Sequence, residues 1–243
     1  MSELCLPATR GDQAAGLRRL FGRRGGRLLP VIVPDLRSTK RGLAIAQLAR
    51  AFAAAGERTL VLDAGRQNLA HELGQRARFD LFHALSGERA LTDVLLPAAP
   101  NLRVAPAARA VEQALALRVG LASALSHASG GADLVVLVVD LARAQTLRGE
   151  AILLIGPNPA EAASAFKALS LWAKLLDRPA LRLVFADTDE AAARTLYQRW
   201  VESAGLAACK DLRWGGVLDG PAEAAHLATL ASEWALGTLR SRA

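Results

Sequence analysis

The chain has 243 residues, of which 52% are hydrophobic and only 5% aromatic, so one sizeable domain with a core built mainly from Ala and Leu is within reach. Its formal net charge is +7, with Arg far outnumbering Lys; this permits contact with nucleic acid, an acidic membrane or an acidic protein, and an Arg-rich genome composition produces the same balance. It holds no 18-residue uncharged apolar stretch, arginines break up the first thirty residues, and Cys5 and Cys209 form no metal or redox motif, so a membrane span, a secretory leader and a disulfide framework are not expected, and a cytoplasmic chain with reduced thiols is.

In chain order, residues 1–11 read as disordered, and Asp12 caps a short helix that runs to about Phe21 and stops at Gly22. The run GRRGGR, 22–27, is a flexible basic linker. Two parts are therefore expected: an N-terminal segment, 1–27, and an α/β domain, 28–243. The domain opens with a buried strand, RLLPVIV, followed by a helix over 40–55 with Gly56 as its C-terminal signal. RTLVLD is the second strand, a loop with short helices covers 66–96, NLRVAPA is the third strand, and a helix follows over 111–128. ADLVVLVVD, 132–140, and EAILLIG, 150–156, are continuous apolar runs of the kind found in central parallel strands. A helix over 160–176, the strand LRLVFAD, a helix over 189–204, the strand LRWGGVLD and a closing helix over 221–240 complete the pattern. Strands alternating with helices predict an α/β fold, a doubly wound, mostly parallel sheet with helices on both faces.

The strand–loop–helix–strand unit of 31–65 has the frame of a phosphate-binding P-loop, whose loop ends in Gly-Lys-Ser/Thr. Glycines let the backbone N–H groups approach phosphates, the lysine reaches the β and γ phosphates, and the hydroxyl serves magnesium. Here the loop reads Pro34, Asp35, Leu36, Arg37, Ser38, Thr39, Lys40, Arg41, Gly42: no glycine precedes Lys40, and Arg41 stands at the hydroxyl position. Lys40 can still meet an anion at the helix N-terminus; alternatively Lys40 and Arg41 are a solvated basic first turn. Asp63 and Asp140 end their strands, where carboxylates can hold magnesium or orient water; alternatively each caps a turn.

The order of these pieces resembles the MinD/ParA family of P-loop ATPases over about 28–240. In that family KGGVGKT precedes a helix like LAIAQLARAFAAAGERTLVLDA, and Asp63 fits the aspartate after the second strand. GRQNLAHELG is similar to the stretch that carries D-x-D, N-L and a leucine-glycine pair, with Gly65 in place of the second Asp. Asp140 matches the aspartate of the D-x-P-x-G segment, but LARA follows it; AILLIGPNPAEAASAFKALSLWAKLL is similar to the segment opening V-T-P-E. The adenine-reading Asn would fall near Asp187 or Thr188, and the lysine that reaches across the family's dimer has no clear match. The resemblance implies the fold; a degenerate nucleotide site, with Lys40, Asp63 and Asp140 as its vestigial residues, is the expectation, and ATP with magnesium is the cofactor if that site still binds.

DQAAGLRRL, 12–20, resembles the D-Q-A-x-x-L-R motif of the flagellar-number regulators FlhG (also called FleN), through Asp12, Gln13, Ala14, Leu17 and Arg18. In that subfamily the motif precedes the P-loop domain by a short linker, and it binds the signal-recognition-type GTPase FlhF and stimulates its hydrolysis. As a helix, Gln13, Leu17, Leu20 and Phe21 share one face while Arg18, Arg19 and Arg23 point elsewhere. So short a helix is marginal alone and orders in a partner's groove; alternatively it docks on its own domain. Gln13 suits orienting water or the partner's catalytic groups, and Arg18 suits pairing with an acid. Flagellar C-ring components, a flagellar transcription activator and recruitment to the cell pole are further implications of the resemblance. An active ATPase with an unorthodox loop and a ParA-like DNA partner are the alternatives.

Leu227, Leu230, Trp234 and Leu239 make a rough stripe along the closing helix, whose other face carries Glu223, His226 and Glu233. A membrane-surface helix wants Lys or Arg along that face, so core packing is expected. His71, His83, His127 and His226 lack ligand spacing, and Trp172, Trp200, Trp214 and Trp234 are expected in packing rather than as a nucleic-acid stacking platform.

Overall fold

The computed structural model describes residues 27–34, 40–117, 131–144, 150–156, 158–173, 180–203 and 211–239. The expected helix over 12–21, with Asp12, Gln13, Ala14, Leu17, Arg18 and Phe21, lies outside the described residues. Strand β1 (Arg27–Ile32) leads to α1 (Lys40–Ala54) and β2 (Thr59–Asp63). Three short helices, α2 (Leu69–Glu72), α3 (Leu81–Leu85) and α4 (Leu91–Val94), precede β3 (Leu96–Ala99), β4 (Leu102–Pro106) and α5 (Ala108–Ala116). Then come β5 (Leu134–Val139), α6 (Leu141–Ala144), β6 (Glu150–Ile155), α7 (Pro159–Trp172), β7 (Ala180–Ala186), α8 (Glu190–Val201), β8 (Leu212–Leu218) and α9 (Pro221–Leu239).

The eight strands form one sheet in the order β3-β4-β2-β5-β1-β6-β7-β8. All neighbours are parallel except β3 and β4. The apolar runs LVVLVV and EAILLI fall at β5 and β6, on either side of β1, with all six residues of β5 buried. A strand covered on both faces needs apolar residues at every position. Alternate residues feed two cores: Ile32, Leu62 and Leu137 point to one, Val31, Val61 and Val136 to the other.

The first core is closed by α5, α7 and α8 through Val111, Leu169, Trp172 and Trp200; the second by α1 and α9 through Ile45, Leu48, Phe52, Leu227 and Ala228. Ala44, Ala46, Ala49 and Ala53 are buried along α1, and their small side chains let the helix lie close to the sheet. Leu227 of the closing helix is buried against this core; the side chains of Trp234 and Leu239 lie outside the described residues. Trp214 stacks on Phe185, with centroids 5.5 Å apart, so three tryptophans take part in packing.

Two differences from the sequence expectation stand out. The stretch before the third strand contains an extra edge strand, β3, which pairs antiparallel with β4. Its sequence, LPAA, has no strand preference, and the neighbouring edge of β4 supplies the pairing. The helix expected over 111–128 starts earlier, at Ala108, and its described part ends at Ala116. Asp80 explains the early start: its carboxylate accepts from the backbone N–H of Phe82 (2.9 Å) and also of Arg109 and Ala110 (3.2 Å each), so one side chain serves the first turns of α3 and α5.

Candidate functional site

The carboxyl ends of β2, β5, β1 and β6 lie side by side along one edge of the sheet. Ligands of open α/β sheets bind at such an edge. Lys40 begins α1 just beyond β1, Asp63 closes β2 and Asp140 follows β5, so the fold brings all three to this edge. The side chain of Lys40 and the loop 35–39 lie outside the described residues.

Asp63 faces inward and is only 6% exposed. Its Oδ1 accepts the backbone N–H of Gln67 (3.0 Å) and its Oδ2 that of Leu69 (3.1 Å). Burial pushes its carboxyl above the usual carboxylate range, against the pull of the N–H groups of Gln67, Leu69, Asn68 and Arg66. The loop closes around this internal anion with two non-glycine residues in left-handed conformation, Arg66 (φ 54°) and Asn68 (φ 56°). Asp63 therefore holds the turn after β2. Gly42 belongs to the same contact: a Cβ there would stand 2.7 Å from the carbonyl oxygen of Gln67, so only glycine lets α1 approach the loop this closely.

Asp140 is engaged as well. Oδ1 accepts the backbone N–H of Arg143 at 2.7 Å, which fixes the first turn of α6, and Oδ2 pairs with Nη1 of Arg143 at 2.6 Å. Nη2 of Arg143 continues to Glu112 of α5 at 2.9 Å, and Glu112 also meets Arg66 at 3.2 Å. A chain of charges, Asp140–Arg143–Glu112–Arg66, thus ties the segments after β5 and β2 to α5.

Arg41 is the residue that the sequence reading missed. A solvated first turn was one expectation for it, yet its side chain is 3% exposed. The guanidinium enters a crevice lined by Val33, Pro34, Ile155, Gly156 and Glu161. Nη1 donates to the carbonyl oxygen of Leu154 at 3.2 Å, and Nη2 pairs with the carboxylate of Glu161 in the first turn of α7. A Cβ at Gly156 would overlap this guanidinium, so glycine at the end of β6 makes its room. A signal was present in the sequence: Arg41, Ile45, Leu48 and Phe52 follow a 4-3-4 spacing, which puts Arg41 in phase with the buried stripe of α1.

The chemistry of this donor set follows from its partners. The oxygens of Asp63 and Asp140 already accept N–H groups, and Arg41, next to Lys40 in sequence, is a buried cation. Among the described residues, no group of three or more His, Cys, Asp or Glu is placed to hold a metal ion, nor is any helix long and apolar enough to cross a membrane. Among the described residues the donor set does not fit a magnesium ion: the carboxylates of Asp63 and Asp140 are already engaged and the Arg41 guanidinium brings positive charge beside Gly156.

No protein-family model matches the sequence, and no curated protein matches it significantly. Solved structures do match in fold. MinD cell division protein from Aquifex aeolicus superposes with a TM-score of 0.63 at 13% identity, over 86% of this chain and 98% of that one. McdA from Cyanothece, in complex with ATP, gives 0.62 at 13% identity, over 88% and 98%. A ParA family ATPase from Chlorobium tepidum gives 0.53 at 13% identity, over 87% and 98%. With its doubly wound sheet, its P-loop frame at β1 and α1, and these neighbours, the chain has the MinD/ParA-type P-loop α/β fold.

Proposed function

We propose that this protein is a regulator of flagellar number and placement that works by protein contact: its N-terminal helix binds an FlhF-like, signal-recognition-type GTPase and stimulates GTP hydrolysis, while the α/β body is a scaffold whose ATPase chemistry has decayed. The observation that carries the first half is the order of parts, a D-Q-A-x-x-L-R motif at Asp12–Arg18 joined by a glycine-rich linker to a domain with the MinD/ParA-type fold. Gln13 orients water or the GTPase's own catalytic groups, Leu17 and Phe21 anchor the helix in the partner's groove, and Arg18 pairs with an acid there. The second half is supported by Arg41 and Glu161, a buried ion pair where magnesium would need an oxygen ligand. On this reading the body also offers the surface for C-ring components and a flagellar transcription activator.

The test is a GTPase assay on the partner with a peptide of residues 1–24, and with the full-length protein carrying Gln13→Ala. Stimulation by the peptide, lost with Gln13→Ala, is the expected result. No gain with the peptide and no loss with the variant would overturn the proposal. If instead the purified protein hydrolyses ATP with magnesium and Lys40→Ala abolishes this, an active ATPase of the same fold replaces the scaffold.

A further inference from the structure

At the carboxyl edge of β2 and β4 a cavity of about 480 Å3 opens between the loop after β2 and the start of α5. Neither Arg41 nor Glu161 lines it. Arg66, His71 and Arg76 stand on it, and Ala70, Pro106 and Ala108 give it an apolar wall. Among the described residues its one lining carboxylate is Asp63, whose two oxygens are turned to the N–H groups of Gln67 and Leu69. The left-handed backbone at Arg66 (φ 54°) sends that side chain outward, 69% exposed, with Glu112 as its partner at 3.2 Å. Arg76 makes no ion pair among the described residues.

We propose that this cavity binds a phosphate group, carried by a small organic molecule whose body lies on the Ala70, Pro106 and Ala108 wall while Arg66 and Arg76 engage the anion. Guanidinium forks match phosphate oxygens in paired, charge-assisted hydrogen bonds, and the two positive charges are balanced better by a phosphate dianion than by a single carboxylate. His71 is a further donor on the same rim. The cavity falls within the range of small-molecule sites, roughly 300–1,000 Å3, and lies at the sheet edge where such folds take ligands. Because Asp63 is already satisfied by backbone N–H groups, it needs no part of the ligand, and no metal is required.

The test is calorimetric titration of the full-length protein at low ionic strength with EDTA present, using inorganic phosphate, pyrophosphate and AMP as probes. The expected result is magnesium-free binding that Arg76→Ala weakens about tenfold, the size of one lost charge-assisted hydrogen bond. Arg66→Asn, which keeps a residue suited to left-handed backbone, weakens it similarly, and Lys40→Ala leaves it unchanged. AMP binding more tightly than phosphate supports the site with the wall taking the organic part; equal binding keeps the phosphate contacts and overturns the role of the wall. No heat with any probe, or binding that Arg76→Ala leaves intact or Lys40→Ala removes, overturns it. Arg76 is exposed, so unchanged thermal unfolding of Arg76→Ala confirms that a lost affinity is local.

Discussion

A guanidinium is the last group expected to occupy the apolar phase of a helix, and Arg41 does so because groups from β6 and α7 converge on it. The carbonyl oxygen of Leu154 and the carboxylate of Glu161 supply the hydrogen bonds, and the bare Cα of Gly156 supplies the space. Burying such a pair costs desolvation on both sides, so its worth lies less in net stability than in what happens when one member is lost. Glu161→Ala removes a carboxylate partner of Arg41 in the crevice and is expected to destabilise the protein by about 1–3 kcal/mol in urea denaturation. The double variant Arg41→Met/Glu161→Leu removes both charges and should recover most of that loss. Equal losses in the single and double variants would show that the packing of these side chains matters and their charges do not. The same residue shows the limit of sequence reading at this scale. Its 4-3-4 phase with Ile45, Leu48 and Phe52 was visible, but its partner lies 120 positions away, and nothing local joins the two.

Elements were legible where their physics is local. The runs at β5 and β6 announced central strands because burial on both faces demands apolar residues throughout, and α1 announced itself by its stripe and by Gly56. The edge strand β3 was not legible, since LPAA becomes a strand only by pairing with β4. The opposite edge of the sheet shows how neighbouring strands are clamped. Arg58, just ahead of β2, meets Asp133, just ahead of β5, through Nη2 at 2.7 Å and Nε at 2.8 Å. The hydrogen bond from Arg58 holds the Asp133 carboxyl below its usual range. A carboxyl lowered in the folded state adds stability that is fully present above its unfolded value and lost as pH falls through the folded one. Asp133→Asn should therefore remove part of the acid-side fall in stability while leaving the neutral-to-alkaline plateau flat. Both side chains are largely exposed, so the effect is small and screened by salt. Denaturant midpoints for both proteins across the acid range check it, and parallel curves for the two would refute the clamp.

At the scale of the whole chain, fold and chemistry separate. About 13% identity to MinD goes with a shared fold, because alternation, apolar runs and turn glycines specify layers rather than particular side chains. On the proposed reading, the Arg41–Glu161 pair changes what the carboxyl edge of the sheet can bind. That difference is measurable as linkage: a ligand that binds only the folded state at a hundred times its dissociation constant adds about 2.7 kcal/mol. For a chain of this size, each kcal/mol raises the melting temperature by roughly 2–4 °C. Magnesium with ATP at millimolar concentration should produce no rise that depends on the metal, since the metal would have to displace or sit beside the Arg41 guanidinium. Restoring the hydroxyl with Arg41→Thr should not create one either, because half-buried Glu161 loses this partner and the sequence 34–39 before Lys40 holds no glycine. A shift that is equal with and without magnesium and vanishes with Arg76→Ala belongs to the cavity beside β4. A shift of several degrees that requires magnesium and is lost with Lys40→Ala would mean that the loop still cradles a triphosphate, and the scaffold role for the body would fall.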